Sequence, residues 1–317
     1  MKNFAIAGVA GYIAPRHLQA IKDTGNKLIA AVDPHDSVGI LDRYFMGVSY
    51  FKEFERFDRH LEKRRRMSDE DRAHYISICS PNHLHDAHIR FAFRTEATAI
   101  CEKPMVLNPW NLDLLEELEA ETGQRVYNIL QLRVHPSILK LKEKIDAAGN
   151  GMHDIELTYI TSRGPWYRYS WKGDEEKSGG IATNIGVHFF DLLLWMFGDV
   201  QESKLYLSDD TKASGFIQLQ RARVRWFLSI DGEDLPEETK IAGQPTHRSI
   251  KVDGEELEFT AGFTDLHTVL YADILDGGGF GIADVRPSIE LVHRIRTMPI
   301  SETDETAHPA LKRIQER

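Results

Sequence analysis

The chain has 317 residues, 42% of them hydrophobic, so it is long enough for two domains that each bury a core. Acidic residues (49) outnumber basic ones (39), and a surface of this sign repels phosphate backbones and anionic lipid, which argues against nucleic-acid and membrane partners. The two cysteines, Cys79 and Cys101, follow short apolar runs, so a disulfide framework is excluded and a cytoplasmic location is predicted.

The first 130 residues alternate short apolar runs with amphipathic stretches of helical length. Strands are predicted at residues 4–9, 28–32, 75–79, 97–101 and 125–128, and helices at 83–94 and 109–122. Alternation of strand and helix implies right-handed crossovers and a parallel sheet covered on both faces. The sequence therefore predicts a doubly wound α/β domain over residues 1–130.

Residues 131–317 show a different pattern and are predicted to form a second, α+β domain. A helix at 136–148 precedes strands at 154–161, 203–208, 215–220 and 223–230, joined by short polar turns. This arrangement is typical of an open, mostly antiparallel sheet, and helices at 264–275 and 284–296 are expected to cover one face of it. The most apolar stretch, 181–195, carries Asn184, His188 and Asp191, so no transmembrane span is expected.

The first strand runs into a turn with small residues that opens a helix. Gly8 and Gly11 allow the backbone to approach a pyrophosphate, and the helix N-terminus that follows Tyr12 and Ile13 supplies N–H donors. Asp33 ends the second strand, where a carboxylate accepts hydrogen bonds from an adenosine ribose and repels a 2′-phosphate, which favours NAD over NADP. An ordinary tight turn at Gly8 and a turn-starting Asp33 before proline are the alternatives.

Polar residues also follow the fourth and fifth predicted strands. Ser80, Asn82 and His85 come after the fourth strand, and Glu102 and Lys103 after the fifth, so all are expected at the ligand-binding edge of the sheet. Lys103 can serve as a general base if its surroundings lower its pKa from about 10.4 toward 7 or 8. A surface lysine, and a loop capped by Asn82, are the alternatives.

The second domain contributes a glycine pair followed by an apolar helix with polar positions. His188 and Asp191 are three residues apart, on one face of that helix. Together with the glycine turn and Glu102-Lys103-Pro104, this order of motifs resembles the Gfo/Idh/MocA oxidoreductases. Within that family, the run from Gly8 to Arg286 is similar to the UDP-N-acetyl-glucosaminuronate 3-dehydrogenases, with support from residues 131–133, 161–164 and 262–267.

The resemblance implies an N-terminal Rossmann domain that binds NAD, and oxidation of the 3″-hydroxyl of UDP-N-acetyl-glucosaminuronate in bacterial surface-polysaccharide synthesis. Lys103 and His188 are then expected beside the reacting hydroxyl. Many relatives carry Asp where this chain has Asn184, and because Asn cannot exchange a proton at neutral pH, Asn184 is interpreted as a positioning group. The residues expected to bind the cofactor are Gly8, Gly11, Tyr12, Ile13, Asp33, Ser80, Asn82, His85, Glu102, Lys103 and Gln131.

A stretch that interleaves aromatic and basic residues, 163–172, suits an anionic nucleotide sugar, because aromatic faces pack on sugar C–H groups and cations pair with diphosphate. A hairpin loop or a subunit contact is the alternative. The residues expected to bind substrate are Lys103, Arg133, Arg163, Trp166, Tyr167, Trp171, Lys172, Thr183, Asn184, His188 and Arg248. The histidines at 83, 85 and 88 match no zinc pattern, so no metal is expected.

The family resemblance further implies a homo-oligomer, dimer or tetramer, because an open sheet leaves an apolar face to cover. Some relatives return the hydride to 2-oxoglutarate, which makes this acid a candidate second partner. Two other functions stay open at this point. One is a family dehydrogenase of an unactivated sugar or polyol, and the other is a non-catalytic NAD sensor, for which Lys103 and His188 would have no use.

Overall fold

The computed structural model describes residues 1–149, 151–257 and 265–315. The chain divides into two compact units. The first contains Met1–Val134 together with Phe263–Arg286, and the second contains His135–Gly262 together with Pro287–Arg317. A segment near the C-terminus therefore belongs with the first unit, whereas the sequence-based division assigns everything after residue 130 to the second domain.

The first unit is built on a parallel sheet, which among the described residues has six strands in the order β3-β2-β1-β4-β5-β6. These strands are β1 Asn3–Ala7, β2 Lys27–Val32, β3 Ser49–Phe51, β4 Tyr75–Ile78, β5 Thr98–Cys101 and β6 Val126–Asn128. The strand order reverses between β1 and β4, and ligands of such sheets bind at the carboxyl ends beside this point. The predicted doubly wound sheet is confirmed. The sequence missed β3, a run of only three half-buried residues.

Helices connect these strands. They are α1 Ala14–Asp23, α2 Phe54–Met67, α3 His85–Arg94 and α4 Pro109–Thr122. Asn82 lies in a short 3₁₀ turn before α3, and the residue that caps α3 is Leu84, without a side-chain hydrogen bond. The capping alternative for Asn82 is therefore wrong, because the 3₁₀ turn moves the N-cap and the start of the helix two residues further along the chain.

The second unit contains a mixed sheet in the order β12-β11-β7-β10-β9-β8. Its strands are β7 His153–Thr161, β8 Val200–Ser208, β9 Lys212–Leu219, β10 Ala222–Ser229, β11 Thr246–Val252 and β12 Glu255–Glu256. Within the described part of the chain, β7 and β10 pair in parallel and the other neighbours are antiparallel. The predicted α+β domain with a mostly antiparallel sheet is thus confirmed.

Helices pack on both faces of this sheet. Those between residues 135 and 241 are α5 Pro136–Ala147, α6 Trp166–Tyr169, α7 Glu175–Ser178, α8 Val187–Phe197 and α9 Glu237–Ile241. Trp226 of β10 contacts Phe190 of α8, with ring centroids 5.2 Å apart. The next residue, Phe227, points to the opposite face, because side chains alternate along a strand. It packs there in a cluster with Ala310 and Leu311.

The C-terminal region departs from the predicted arrangement. It contains α10 Leu266–Leu275, α11 Ile282–Thr297 and α12 Pro309–Gln315. Leu270, Tyr271 and Ile274 of α10 are buried in the core of the first unit, with residues of β1 and α1. The expectation that a helix at 264–275 covers the second sheet is therefore wrong, and α12 in the polar tail covers that sheet instead.

The helical stretch Glu175–Phe197 is long and apolar enough, by length and composition alone, to cross a membrane. Most of it is buried inside the second unit. Its apolar side chains, such as Phe189 and Phe190, contact aromatic residues of β7 and β10. The stretch is therefore hydrophobic because its side chains pack in the core of the second unit.

The position of α10 predicts the effect of truncating its buried face. Leu270→Ala removes a fully buried side chain and should destabilise the first unit by about 2–5 kcal/mol. Hydrogen exchange followed by mass spectrometry should then show faster exchange in β1 and α1 than in β9 and β10. Val269→Ala, on the same helix but 49% exposed, is the matched control and should leave both exchange patterns within experimental error. Equal acceleration in both units would contradict the assignment of α10.

Candidate active site

The turn between β1 and α1 leaves no room for a side chain at Gly8. Its φ is +85°, a conformation that favours glycine, and a Cβ there would lie 2.6 Å from the carbonyl of Cys79. The main chain of β1 therefore lies directly against the end of β4. No side chain caps α1 at Ile13, and Tyr12 is 94% exposed, so the helix N-terminus is open to an anion as far as the described residues go.

The carboxylate of Asp33 lies beside this turn and helps to fix it. Oδ2 accepts the backbone N–H of Ala10 at 2.9 Å, and Oδ1 accepts that of His35 at 2.9 Å. The Tyr50 hydroxyl donates to the Asp33 carbonyl oxygen at 2.8 Å. Each carboxylate oxygen keeps a further lone pair for a ribose hydroxyl. The glycine turn and Asp33 together fit a dinucleotide, and their contacts with it stay a prediction.

Residues after β4 lie at the same carboxyl edge of the sheet. The His85 ring lies between two main-chain oxygens, with Nδ1 2.7 Å from Pro104 O and Nε2 2.8 Å from Ser80 O. Burial lowers the pKa of His85. The Ser80 hydroxyl lies 2.9 Å from Nδ1 of His88. His85 therefore joins the loops that follow β4 and β5, and its predicted contact with the cofactor stays untested, as do those of Ser80 and Asn82.

The segment that carries Lys103 is held from several sides. Asn128 at the end of β6 donates from Nδ2 to the carbonyl oxygens of Cys101 (2.9 Å) and Glu102 (3.1 Å). The Lys103–Pro104 peptide bond is cis. Sequence reasoning missed Asn128, although a polar residue at the carboxyl end of a parallel strand is the available signal. Lys103 stays the predicted base.

Glu102 lies at the centre of a buried cluster that the sequence did not reveal. Oε1 accepts hydrogen bonds from Nε2 of His17 (2.9 Å) and Nε2 of His267 (3.1 Å). Burial acts to raise the pKa of Glu102, but the two imidazole hydrogen bonds outweigh it and hold that pKa well below its usual range. The partners are 85 and 165 residues away along the chain, so no local spacing signals them.

Two further predicted residues lie in the 3₁₀ turn Gln131–Val134. Arg133 is buried, and its guanidinium donates to Oδ1 (3.3 Å) and the carbonyl oxygen (3.0 Å) of Asp284. It also lies over the Phe280 ring at 5.2 Å. Oε1 of Gln131 is buried without a hydrogen-bond partner among the described residues. The cofactor contact of Gln131 and the substrate contact of Arg133 stay predictions.

In the second unit, a π-helical stretch, Ala182–Gly186, precedes α8 and carries Thr183 and Asn184. Such stretches are rare and often occur at functional sites. Gly179, at φ +81°, packs so closely against Thr183 that a Cβ would lie 2.7 Å from its side chain. Asn184 Nδ2 donates to the Tyr167 hydroxyl at 2.5 Å.

The Tyr167 hydroxyl is therefore fixed by Asn184 and keeps its own proton. Burial raises the pKa of Tyr167, and the hydrogen bond from Asn184 only partly opposes this, so the phenol is neutral at physiological pH. It can donate to a ligand oxygen. The structure thus brings together two of the predicted substrate residues.

His188 and Arg248 both lie beside the Tyr159 ring. Arg248 of β11 is directly opposite Tyr159 of β7 in the sheet register, with its guanidinium 5.4 Å from the ring centroid. The Tyr159 ring meets the His188 ring edge to face at 6.2 Å. Tyr159 was missed from the sequence, because an aromatic residue inside a strand is more typical of a core.

The other predicted substrate residues occupy the segment after β7. Arg163 is exposed and Trp166 is 53% exposed. Nζ of Lys172 lies 4.6 Å from the centroid of the Trp171 ring. Aromatic and cationic groups are thus available at this surface for a sugar and a diphosphate. Whether each binds substrate stays a prediction.

Two protein-family models match the chain. The NAD-binding Rossmann fold of the Gfo/Idh/MocA oxidoreductase family matches residues 2–129, and the C-terminal alpha/beta domain of that family matches residues 151–227. The chain belongs to the Gfo/Idh/MocA oxidoreductase family, as the motifs predicted. The first unit is accordingly an NAD-binding Rossmann fold.

A solved dehydrogenase is similar over almost the whole chain. WlbA (WbpB) from Thermus thermophilus is 50% identical, with a TM-score of 0.94, and the match covers 98% of this chain and 99% of that one. One of its crystal structures contains NAD and α-ketoglutarate, and another contains NAD and UDP-GlcNAcA. WlbA from Bordetella pertussis is 17% identical, with a TM-score of 0.75 and 95% and 98% coverage, and it shares the fold.

Curated relatives match shorter parts. Inositol 2-dehydrogenase of Rhizobium meliloti (strain 1021) is 27% identical over 125 residues, which is 39% of this chain and 36% of that protein. D-glucoside 3-dehydrogenase of Escherichia coli (strain K12) is 25% identical over 130 residues, 39% of this chain and 35% of the relative. The chain spans between 30% and 56% of the length of the curated relatives it matches.

The contact between Gly8 and Cys79 predicts the consequence of adding one methyl group. Gly8→Ala should weaken NAD binding at least about tenfold, because the new Cβ forces the turn away from β4. Gly25→Ala is the matched control, since Gly25 also has a positive φ (+72°) but a Cβ there meets no atom within 4 Å. Calorimetric titration with NAD checks both variants. If both variants lost the same affinity for NAD, backbone strain and not the close approach of Gly8 to β4 would explain the loss.

Proposed function

We propose that this protein oxidises the 3″-hydroxyl of UDP-N-acetyl-glucosaminuronate to a ketone, with NAD as the cofactor. The observation that carries the proposal is the 50% identity, over 98% of the chain, with a dehydrogenase solved with NAD and UDP-GlcNAcA. At 24–27% identity, the curated relatives span sugar and polyol substrates and do not favour one of them. The product would be a 3-keto sugar for bacterial surface-polysaccharide synthesis.

The reaction removes a hydride from carbon and a proton from oxygen. Bound NAD supplies the acceptor for the hydride. The protein must take the proton, and Lys103, in its neutral form, or His188 is the proposed acceptor. Asn184 and Tyr167 cannot act as bases at neutral pH, so we assign them to holding substrate oxygens through hydrogen bonds.

Binding of the cofactor would use the turn from Gly8 to Ile13 for the pyrophosphate and Asp33 for the adenosine ribose. The fixed carboxylate of Asp33 repels a 2′-phosphate, which supports NAD over NADP. Arg163, Lys172 and Arg248 would provide the positive charge that a diphosphate and a uronate require.

The cellular setting belongs to the same proposal. We propose a cytoplasmic location, where a UDP-sugar and NAD would be available. A chain with two buried thiols is suited to such a reducing compartment. We propose that 2-oxoglutarate accepts the hydride in a second half-reaction, as the α-ketoglutarate bound to the Thermus protein suggests. A homo-oligomer is proposed from the family.

Replacing the base should separate binding from chemistry. Lys103→Met keeps an unbranched apolar side chain but removes the amine, so kcat should fall by about 10²–10⁴-fold while NAD binding is retained. Nicotinamide absorbance with UDP-GlcNAcA measures kcat, and calorimetry measures NAD binding. Near-normal turnover would remove Lys103 from the mechanism. Lys177→Met, at an exposed lysine paired with Asp174, is the matched control and should be fully active.

The substrate class is tested with UDP alone. We expect calorimetry to detect heat of UDP binding to the NAD-loaded enzyme, because a nucleotide sugar site must recognise the diphosphate. No heat with UDP, together with turnover of a free sugar or polyol, would favour the alternative dehydrogenase. Incubation with UDP-GlcNAcA, with and without 2-oxoglutarate, and product mass analysis then identify the oxidised sugar and the hydride acceptor.

A further inference from the structure

A continuous chain of buried polar side chains lies beneath the end of β5. The Ser77 hydroxyl contacts the Tyr271 hydroxyl at 2.6 Å, and Tyr271 contacts Nδ1 of His17 at 2.7 Å. Nε2 of His17 and Nε2 of His267 both meet Oε1 of Glu102. All five residues are at most 7% exposed. Burying such a network costs free energy unless each of its polar groups has a hydrogen-bond partner.

One assignment of protons satisfies all of these contacts. A carboxylate only accepts, so both Nε2 atoms carry hydrogens. If the His17 ring is neutral, its Nδ1 accepts from the Tyr271 hydroxyl, and Ser77 donates to the Tyr271 oxygen. In this arrangement the His17 imidazole is neutral and Glu102 is an anion. Burial lowers the pKa of His17 against the opposing effect of Glu102, which agrees with a neutral ring.

The same three side chains could approach a metal ion, since their ligand atoms lie within 4.8 Å of one another. A metal would require Nε2 without hydrogen on both rings. The nitrogen–oxygen separations of 2.9 Å and 3.1 Å are hydrogen-bond lengths. Hydrogen bonding therefore accounts for the cluster better than a metal does.

The cluster joins three elements at the segment that carries Lys103. His17 belongs to α1, whose N-terminus follows the glycine turn, and His267 belongs to α10. Oε2 of Glu102 lies 3.3 Å from the backbone nitrogen of Lys103. Asn128 and His85 hold the carbonyl oxygens on either side of Lys103. The carbonyl oxygens of the residues before and after Lys103 are thereby tied to β6 and α3.

We propose that His17 and His267 are positioning residues for the reaction: by donating together to Glu102 they keep it a carboxylate and hold the Lys103 segment against α1 and α10. This inference goes beyond the proposed function and rests on it for its kinetic part. Neither histidine needs to touch substrate or cofactor. Their effect reaches the chemistry through the placement of Lys103.

The charge state of Glu102 gives the proposal a signature that simple packing lacks. Removing one imidazole takes away one donor and leaves the carboxylate buried, so the pKa of Glu102 rises toward the range that burial favours. The other titratable groups that face Glu102 from the surrounding elements are Cys79, Cys101, Tyr271, His85 and Lys103. Burial raises the pKa of both thiols and of Tyr271, so these groups stay neutral and do not replace the lost donor.

The first experiment compares His267→Leu with His267→Gln, because the amide of Gln can place an N–H near the position of Nε2. In the wild type, the pKa of folded Glu102 lies below its unfolded value, so its stabilisation is complete above about pH 5 and is lost only on acidification. In His267→Leu, a pKa above the unfolded value makes stability fall as pH rises. We expect the ratio of the unfolding constants of the Leu and Gln variants to increase at least about tenfold from about pH 5 to pH 8, measured with urea. A ratio that does not change with pH overturns the proposal.

The second experiment measures turnover of UDP-GlcNAcA by the same variants and by His17→Leu and His17→Gln. The Leu variants should lose at least about tenfold in kcat with little change in KM, and the Gln variants should stay within about threefold of the wild type. His308→Leu is the matched control. It removes a buried histidine of the second unit that contacts Thr158 and Ala310, and should lower stability without changing kcat.

Three results would overturn the proposal. The Leu variants could keep the wild-type kcat, or the Gln variants could lose as much kcat as the Leu variants. The third is that the purified wild type contains one equivalent of a transition metal per chain and the Leu variants contain none. If neither Leu variant folds, Tyr271→Phe replaces them, since it removes only the hydroxyl that donates to His17. It should lower kcat by about two- to fivefold, and unchanged kcat would count against the proposal. A wild type without turnover of UDP-GlcNAcA would refute the proposed function, whereas the urea experiment would still decide the charge state of Glu102.

Discussion

A buried carboxylate with two imidazole donors joins several elements at the carboxyl edge of the parallel sheet in the first unit. Glu102 cannot ionise inside a core unless hydrogen bonds replace its hydration, and His17 and His267 provide them. Because these histidines belong to α1 and α10, satisfying one charge also fixes the relative position of two helices and the end of β5. This requirement explains why α10 belongs with the parallel sheet, although it is far from that sheet in the sequence.

A second constraint acts on the neighbouring turn. Gly8 leaves no room for a side chain against Cys79, and Asp33 accepts the N–H of Ala10 from the same turn. The open N-terminus of α1 is thereby presented at the point where the strand order reverses. The helix that begins at this turn also carries His17. Under our proposals, α1 therefore contributes both to cofactor binding and, through His17, to the placement of Lys103.

The second unit places neutral and cationic side chains, which we propose bind a polar ligand, beside an apolar helix. The π-helical stretch places Asn184 against Tyr167, and the sheet register sets Arg248 opposite Tyr159 beside His188. In this chain Asn184 forms a hydrogen bond with Tyr167, and we propose that this pair holds substrate oxygens.

The sequence by itself determined the fold class, the family and the glycine turn after β1, because these depend on local periodicity and on motifs of a few adjacent residues such as Gly8 to Ala14 and Glu102 to Pro104. It also predicted Lys103, Asn184 and His188 as site residues, whose roles stay to be tested. It missed β3, Asn128, Tyr159 and the partners of Glu102, and it assigned α10 to the wrong sheet. Only the tertiary structure decided these points, since a buried charge selects its donors by distance in space, and His17 and His267 are 85 and 165 residues away from Glu102 along the chain.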